Sequence, residues 1–307
     1  MATNELIGAL VVLLGVAILF GVEIMLIADF AYEKITGKRR AGISRRIRIP
    51  WTLLSVIGLG CLLHAHFIAP FDFGATHITI HTTKLPPGFR MRIAHISDLH
   101  LEGDAKTPDW IARTVREKKP DIIALTGDYV NNRQAGMQAF VELLEQLDAP
   151  HILAVKGNYD SLQPATINSK VTALEGYRYI ADLDGQRISF FGCDITTTET
   201  FSNLISRVPE EDYNVVLYHM PDMIDPASQH GADLFLCGHT HGGQVRMPFY
   251  GAVITLSPTG KKYEMGMYRV RNTTAYVSRG IGCEGGNAPR LRFLCRPEIA
   301  ILDIVGE

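Results

Sequence analysis

Seven residues spread between positions 98 and 241 are of types that bind hard or borderline metal ions. They are Asp98 and His100 in Asp-Leu-His, Asp128 after Gly127, Asn158 after Gly157, His219, and His239 and His241 in Gly-His-Thr-His. Imidazole nitrogen with oxygen donors, and no thiolate, suits Mn²⁺, Fe or Zn²⁺ better than a structural zinc site built from cysteines. Seven ligands are too many for one ion and suit two ions that share a bridging carboxylate. Taken singly, Asp-X-His, Gly-Asp or a lone His is commonplace. Gly238-His-Thr-His-Gly-Gly-Gln244 says more. Imidazoles two residues apart point to one side of an extended segment, and the neighbouring glycines let backbone and phosphate approach closely.

For these groups to meet, each must stand at the end of a strand. In an open α/β sheet, ligands bind outside the carboxyl ends of the strands. The pattern fits. Met91–Ser97 reads as a buried strand that leads to Asp98, Asp121–Thr126 leads to Asp128, and His151–Val155 leads to Asn158. Asn214–Tyr218 leads to His219, and Ala232–Leu236 precedes His239; Ile188–Gly192 is a further strand. Helices are expected over Trp110–Lys119, ended by Pro120, and over Gln138–Leu147. The last third, with Tyr268–Val270, Thr274–Ser278 and Glu298–Ile304, suggests an antiparallel second sheet. The chain shows no internal repeat.

The 307 residues carry a formal net charge of −2, with 47% hydrophobic and 20% charged residues, which excludes a disordered chain and a polybasic nucleic-acid binder. The near-zero sum hides an asymmetry. Residues 1–71 hold seven Lys/Arg (34, 38, 39, 40, 45, 46, 48) against four acids (5, 23, 29, 33), leaving 23 bases and 28 acids to the rest. Leu6–Val22 is free of charge, and the apolar run continues past Glu23 to Ala28, about 33 Å of helix. A second run, Ile49–Phe71, has no charge and carries Trp51 near one end. The chain thus divides into a membrane anchor of two transmembrane helices, residues 1–73, and a body, residues 74–307. A cleaved signal peptide fits poorly, because Glu5 precedes the first run and no small-residue cleavage site follows it. His64 and His66 read as interfacial histidines. All seven bases of the front lie between the spans, which places the 29–48 loop in the cytoplasm and the body outside it. A hairpin dipping in from the cytoplasmic side, its loop on anionic headgroups, is the competing topology.

In order, Asp98-X-His100, Gly127-Asp128, Gly157-Asn158, His219 and Gly238-His239-X-His241 resemble the five motifs of the calcineurin-like metallophosphoesterases, and the likeness runs from about Leu85 to Ile304. Gly-His-Thr-His-Gly-Gly-Gln, Ser278-Arg-Gly-Ile-Gly282, and Pro289-Arg290 ahead of Pro297-Glu298 are similar to the bacterial membrane-tethered branch. That branch includes phosphodiesterases and a UDP-2,3-diacylglucosamine pyrophosphatase. The resemblance implies a four-layer α/β/β/α sandwich. It also implies that Asp98, His100 and His241 hold one divalent ion, that Asn158, His219 and His239 hold the other, and that Asp128 bridges them. Two such ions, Mn²⁺ first and Fe or Zn²⁺ as alternatives, activate a shared water as a metal-bound hydroxide and neutralise charge during in-line attack on phosphorus.

Tyr159 departs from the family, many of whose members place a histidine directly after the Asn as a proton donor or phosphoryl ligand. A phenol with an ordinary pKa near 10 is a poor donor at neutral pH, though it can hydrogen-bond a phosphoryl oxygen. The departure favours a diphosphate or an activated diester over an unactivated monoester. His95 and His151 could supply an imidazole instead, but their places within or at the start of strands suggest structural roles. Arg279 and Arg290 are candidate clamps on a second phosphate. Cys193 and Cys237 read as small buried apolar residues, and Cys283 and Cys295 could pair in an oxidising compartment.

Together these readings expect a bacterial inner-membrane hydrolase acting on a lipid-linked or nucleotide-linked phosphodiester or diphosphate. Its sharpest form is hydrolysis of UDP-2,3-diacylglucosamine. An envelope phosphodiesterase of other specificity and a non-catalytic metal-binding scaffold are the alternatives. No nucleic-acid partner is expected, since the body is acidic and lacks a basic patch, and no protein partner is predicted.

Overall fold

The computed structural model describes residues 3–38, 44–131, 134–161, 164–195, 198–284 and 290–307; Arg39, Arg40 and Pro289 fall outside them. The elements in chain order are α1 (Thr3–Thr36), α2 (Arg45–Phe67), β1 (Gly74–Thr82), β2 (Arg90–Ile96), α3 (Lys106–Lys118), β3 (Ile122–Leu125), α4 (Ala135–Gln146), β4 (His151–Ala154), α5 (Pro164–Ile167) and β5 (Val171–Ala173). They continue with β6 (Tyr177–Leu183), β7 (Gln186–Gly192), α6 (Thr198–Ile205), β8 (Tyr213–Leu217), α7 (Ile224–Gln229), β9 (Leu234–Cys237), β10 (Arg246–Met247), β11 (Gly251–Ala252), β12 (Gly266–Val270), β13 (Thr273–Val277) and β14 (Glu298–Gly306).

Two six-stranded sheets face one another, ordered β1-β14-β2-β3-β4-β5 and β12-β13-β9-β8-β7-β6. Between them pack Met91, Ile93, Leu153, Phe190, Val215, Leu236 and Leu302. On the outer face of the first sheet, Ile111 and Val115 of α3 and Phe140 and Leu143 of α4 cover Ile96, Ile123 and Ile301. On the other side, Phe201 of α6 with Ile224 and Ala227 of α7 cover Phe191, Val216 and Phe235. This is the expected α/β/β/α sandwich. Apolar residues three and four apart give α3 its buried stripe. Lys119, at φ 47°, ends the helix in the left-handed conformation just before Pro120.

The last third of the chain is not one antiparallel sheet. β12 and β13 form an antiparallel hairpin on the second sheet, but β13 runs parallel to β9. β14 leaves for the first sheet, where it lies parallel to β1 and antiparallel to β2. Residues 298–302 are buried on both faces, as a central strand requires, and alternation along the chain does not say between which sheets a strand is inserted.

The two N-terminal helices are long and apolar enough to cross a bilayer. Only 6% of the apolar window of the first and 17% of that of the second is buried, which separates them from core helices. They pack on each other: Trp51 Nε1 donates to Leu19 O at 3.1 Å, and the Thr52 hydroxyl donates to Glu23 at 3.1 Å, giving the charge in the apolar run a partner. Both outer ends join the body. Glu5, fully buried, accepts the Thr255 amide at 3.0 Å as well as its hydroxyl. Ala65 O accepts from Arg292 N at 2.9 Å. The Arg292 guanidinium is itself buried and donates to the carbonyls of Arg279, Gly280, Gly282 and Cys295. Arg292→Leu leaves these carbonyls without their donor. It is expected to cost about 3 kcal/mol, read as a lower unfolding midpoint of the full chain in detergent.

Candidate metal centre

The turns that follow β2, β3, β4, β8 and β9 converge at one edge of the two sheets. Five of the seven expected ligands there have backbones that L-residues rarely adopt: φ is 52° at Asp98, 42° at His100, 57° at Asp128, 69° at His239 and 50° at His241. Such conformations cost on the order of 1 kcal/mol or more each and persist where the surroundings over-determine them. Two glycines make room for the crowding. A Cβ at Gly157 would overlap the Asp128 carboxylate, and one at Gly238 would overlap Ser97 and Asp98.

All seven residues meet. Asp98, His100 and His241 form one group and Asp128, His219 and His239 a second, the donor atoms of each lying within 4.8 Å of one another. Asp128 faces both groups: its Oδ2 is 3.2 Å from His219 Nε2 and 3.7 Å from His100 Nε2. Asn158 Oδ1 completes the second group, 2.9 Å from His219 Nε2 and 3.0 Å from His239 Nδ1. In the first, His100 Nε2 lies 3.0 Å from His241 Nε2, which lies 3.6 Å from Asp98 Oδ1.

Surrounding groups orient these donors. His219 Nδ1 donates to Thr126 O at 2.7 Å, which fixes the ring so that its Nε2 faces Asn158 and Asp128. His100 Nδ1 donates to Asn131 Oδ1 at 2.6 Å, and Asn131 is held in that orientation by donating to Glu102 and Cys283 O. Burial raises the pKa of Asp98, whereas for Asp128 burial is outweighed by the charge and hydrogen bond of His219, which hold its carboxyl below the usual range. His219 is pushed up to about 9: burial opposes its charge and the Asp128 carboxylate overrides it. Burial lowers His239 to about 4. The His241 Nδ1 is buried with no partner among the described residues. Facing lone pairs beside buried carboxylates fit a divalent cation, whose charge offsets the desolvation of both acids.

The other expected residues fall into place with differences. The Tyr159 amide donates to Asp128 Oδ1 at 2.8 Å and its ring lies edge-on to His100, while its hydroxyl donates to Glu284 at 2.7 Å. That bond to Glu284, with some burial, pushes the phenol up to about 12. Arg279 is engaged by the buried Glu298 and by Thr76. Arg290 pairs with Glu102 beside a cavity that reaches His100. His95 is wholly buried, 2.8 Å from the Thr126 hydroxyl, and burial lowers it to about 4; His151 meets the Tyr179 hydroxyl at 2.8 Å. Neither belongs to the two donor groups. Cys283 and Cys295 are not joined: the Cys295 thiol donates to His241 O at 3.1 Å, which ties it to the ligand loop.

Asp160, Asn131, Glu284 and Arg292 are contributors that sequence reasoning did not single out. Asp160 accepts the amides of Asp128 (2.7 Å), Gly157 (2.8 Å) and Tyr129 (2.9 Å), clamping two ligand loops together. Burial raises its carboxyl to about 6 against the pull of these bonds. Its place two residues after Asn158 was the available signal; Asn131, Glu284 and Arg292 had none.

Two candidate donor groups with Asp128 facing both, at the strand ends of an α/β/β/α sandwich, are the arrangement of a metal-dependent phosphoester hydrolase. The calcineurin-like phosphoesterase family model matches residues 91–243. The chain is 34% identical over 260 residues to the metallophosphoesterase YkuE of Bacillus subtilis, a protein of uncharacterised function, covering 78% of this chain and 88% of that one. It is 31% identical over 283 residues to the phosphodiesterase YaeI of Escherichia coli, covering 86% of this chain and 100% of the relative. The chain belongs to the calcineurin-like phosphoesterase family.

Proposed function

We propose that the chain is a membrane-anchored phosphodiesterase or diphosphatase whose two ions are held by Asp98, His100 and His241 on one side and by Asn158, His219 and His239 on the other, bridged by Asp128. The observation that carries this reading is the Asp128 carboxylate, within reach of both imidazole groups. The donors of both groups are nitrogen and oxygen, a set that suits Mn²⁺, Fe or Zn²⁺, and Mn²⁺ is the metal proposed. When bound, the two ions supply an activated water and neutralise charge on the phosphoryl group. Asn158 and Asp128 hold the centre in register. Arg290 is positioned to add a guanidinium contact to a second phosphate or to a headgroup. Purified full-length chain is expected to bind two metal ions and to hydrolyse bis-p-nitrophenyl phosphate with added Mn²⁺. Metal-loaded chain with no activity on any diester or diphosphate would sink the reading.

Tyr159 shapes the leaving group. With its proton donated to Glu284 and its pKa near 12, it gives no proton to a departing alkoxide at neutral pH. Substrates whose leaving group departs unprotonated are favoured, such as a phosphate in a diphosphate. Tyr159→Phe is therefore expected to change the rate on a dialkyl phosphodiester, whose alkoxide leaving group needs a proton, by less than about threefold, far below the 10²–10⁴-fold owed to a general acid. Steady-state kinetics decide, and a hundredfold loss would make the phenol the acid.

The substrate proposed is lipid-linked or nucleotide-linked, UDP-2,3-diacylglucosamine being its sharpest form. Two apolar helices within residues 1–73 hold the catalytic unit, residues 74–307, at a bacterial inner membrane, and the diesterase name of a relative that matches along its whole length supports the reaction type. The bases between the helices favour a body outside the cytoplasm, whereas the resemblance implies that UDP-sugars are made inside. A pair of C-terminal reporters, one active only in the cytoplasm and one only outside, separates the two. A body outside rejects the UDP-sugar, and a body inside rejects the charge-based topology.

A further inference from the structure

A cavity of about 510 Å³ lies where the end of α2 meets the catalytic body. That size is ordinary for a small-molecule site. Its walls differ in kind. Phe67, Pro70 and Phe71, at the end of α2 and just beyond it, form an apolar side, and Leu99, His100 and Arg290 form the side toward the metal centre. Phe67 is 64% and Phe71 50% exposed, and the apolar surface continues along the helix through Leu63 at 49%. At the other end the carboxylates are committed: Glu102 pairs with Arg290, and Asp104 accepts the Thr107 amide at 3.0 Å. Arg290 Nε is buried without a partner among the described residues, and Arg290 O lies 3.0 Å from His66 Nδ1, which fixes the arginine's backbone to the helix. Arg290 and the candidate metal ligand His100 thus line the same cavity as Phe67 and Phe71, which stand at the end of a helix long enough to span a bilayer.

We infer that this cavity receives the chain of an amphipathic phosphodiester, its phosphorus at the metal centre, its headgroup beside Arg290, and its acyl chain laid against Phe67 and Phe71 and along α2. The inference rests on the function proposed above and narrows it to phosphodiesters that enter sideways from the membrane. The bilayer is the chosen source because the apolar wall belongs to the spanning helix itself; a cavity for a water-soluble ester has no use for a wall continuous with lipid-facing side chains. Headgroup and chain then never leave their own solvents, since the phosphate reaches the centre at headgroup depth while the chain stays in an apolar environment.

The test uses the full chain in phosphatidylcholine nanodiscs with Mn²⁺ and two synthetic diesters, methyl and hexyl p-nitrophenyl phosphate. A fully buried methylene improves binding about fourfold, and partial burial of a hexyl chain is expected to raise kcat/KM at least tenfold over the methyl ester, through KM. In Phe67→Ser/Phe71→Ser the hexyl-to-methyl ratio is expected to fall toward one. In Phe67→Leu/Phe71→Leu, which keeps apolar bulk, it is expected to hold. A wild-type ratio near one, or a ratio unchanged in the serine variant, overturns the inference. So does its loss in the leucine variant, because packing of Phe71 on Phe73 would then explain the effect. If the wild type hydrolyses neither ester, the failure is that of the phosphodiesterase reading itself, since the methyl ester has no chain to place.

Discussion

Asp128→Asn is expected to lower kcat on bis-p-nitrophenyl phosphate by about 10³-fold or more and to leave at most one metal ion per chain. The substitution keeps the side chain's size and the acceptor for the Tyr159 amide, 2.8 Å from Oδ1. It removes the negative charge that faces His219 at 3.2 Å and His100 at 3.7 Å. A neutral amide cannot serve as an anionic bridge, so the two donor groups lose their shared ligand while the fold survives. Because His219 holds the Asp128 carboxyl below the usual range and is itself raised by it, the substitution breaks a buried pair and is expected to lower the unfolding midpoint of metal-free chain at neutral pH without unfolding it. Metal analysis by mass spectrometry, kinetics with Mn²⁺ and thermal unfolding read the three effects separately. Activity within tenfold of wild type would refute the assignment of Asp128 as the bridge.

Asp160→Ala comes next in size and acts at one remove. Its carboxylate accepts three amides, those of Asp128, Tyr129 and Gly157, and so ties the loop after β3 to the loop after β4. Losing it leaves three donors without their acceptor in a largely buried place. About 3 kcal/mol of stability and 10–100-fold in metal affinity are expected to go together. Asp160→Asn keeps one acceptor oxygen and should recover part of both. If Mn²⁺ titration of Asp160→Ala gave the wild-type affinity, the clamp would be structural only and would have no part in holding the centre.

How much of this was legible in the chain follows from range. The ligand residues could be named because the chemistry requires particular side chains and because each stands just after a short β-rich run, a pattern written within about ten residues. Tyr159 could be read as a departure for the same reason. Asn131, Glu284 and Arg292 act through partners far away in sequence, Glu284 meeting Tyr159 and Arg292 meeting Ala65, and no local pattern marks such pairs. The placement of β14 is of the same kind: its apolar run shows a buried strand, but pairing with β1 and β2 is decided by which neighbours complete the first sheet.

Composition and local pattern alone pointed to two apolar helices ahead of an α/β body, and to a candidate nitrogen and oxygen donor set at its strand ends. These are properties of side-chain type and of periodicity over a few residues, and they survive without knowledge of contacts. Tertiary structure decided the rest. It assigned Asp128 a position facing both groups, committed Arg279 to Glu298 while leaving Arg290 Nε without a partner among the described residues, kept Cys283 and Cys295 apart, and fastened both outer helix ends to the loops around the centre. Each of these depends on the approach of groups separated by tens to hundreds of residues, and only the packing of two sheets against each other fixes such distances.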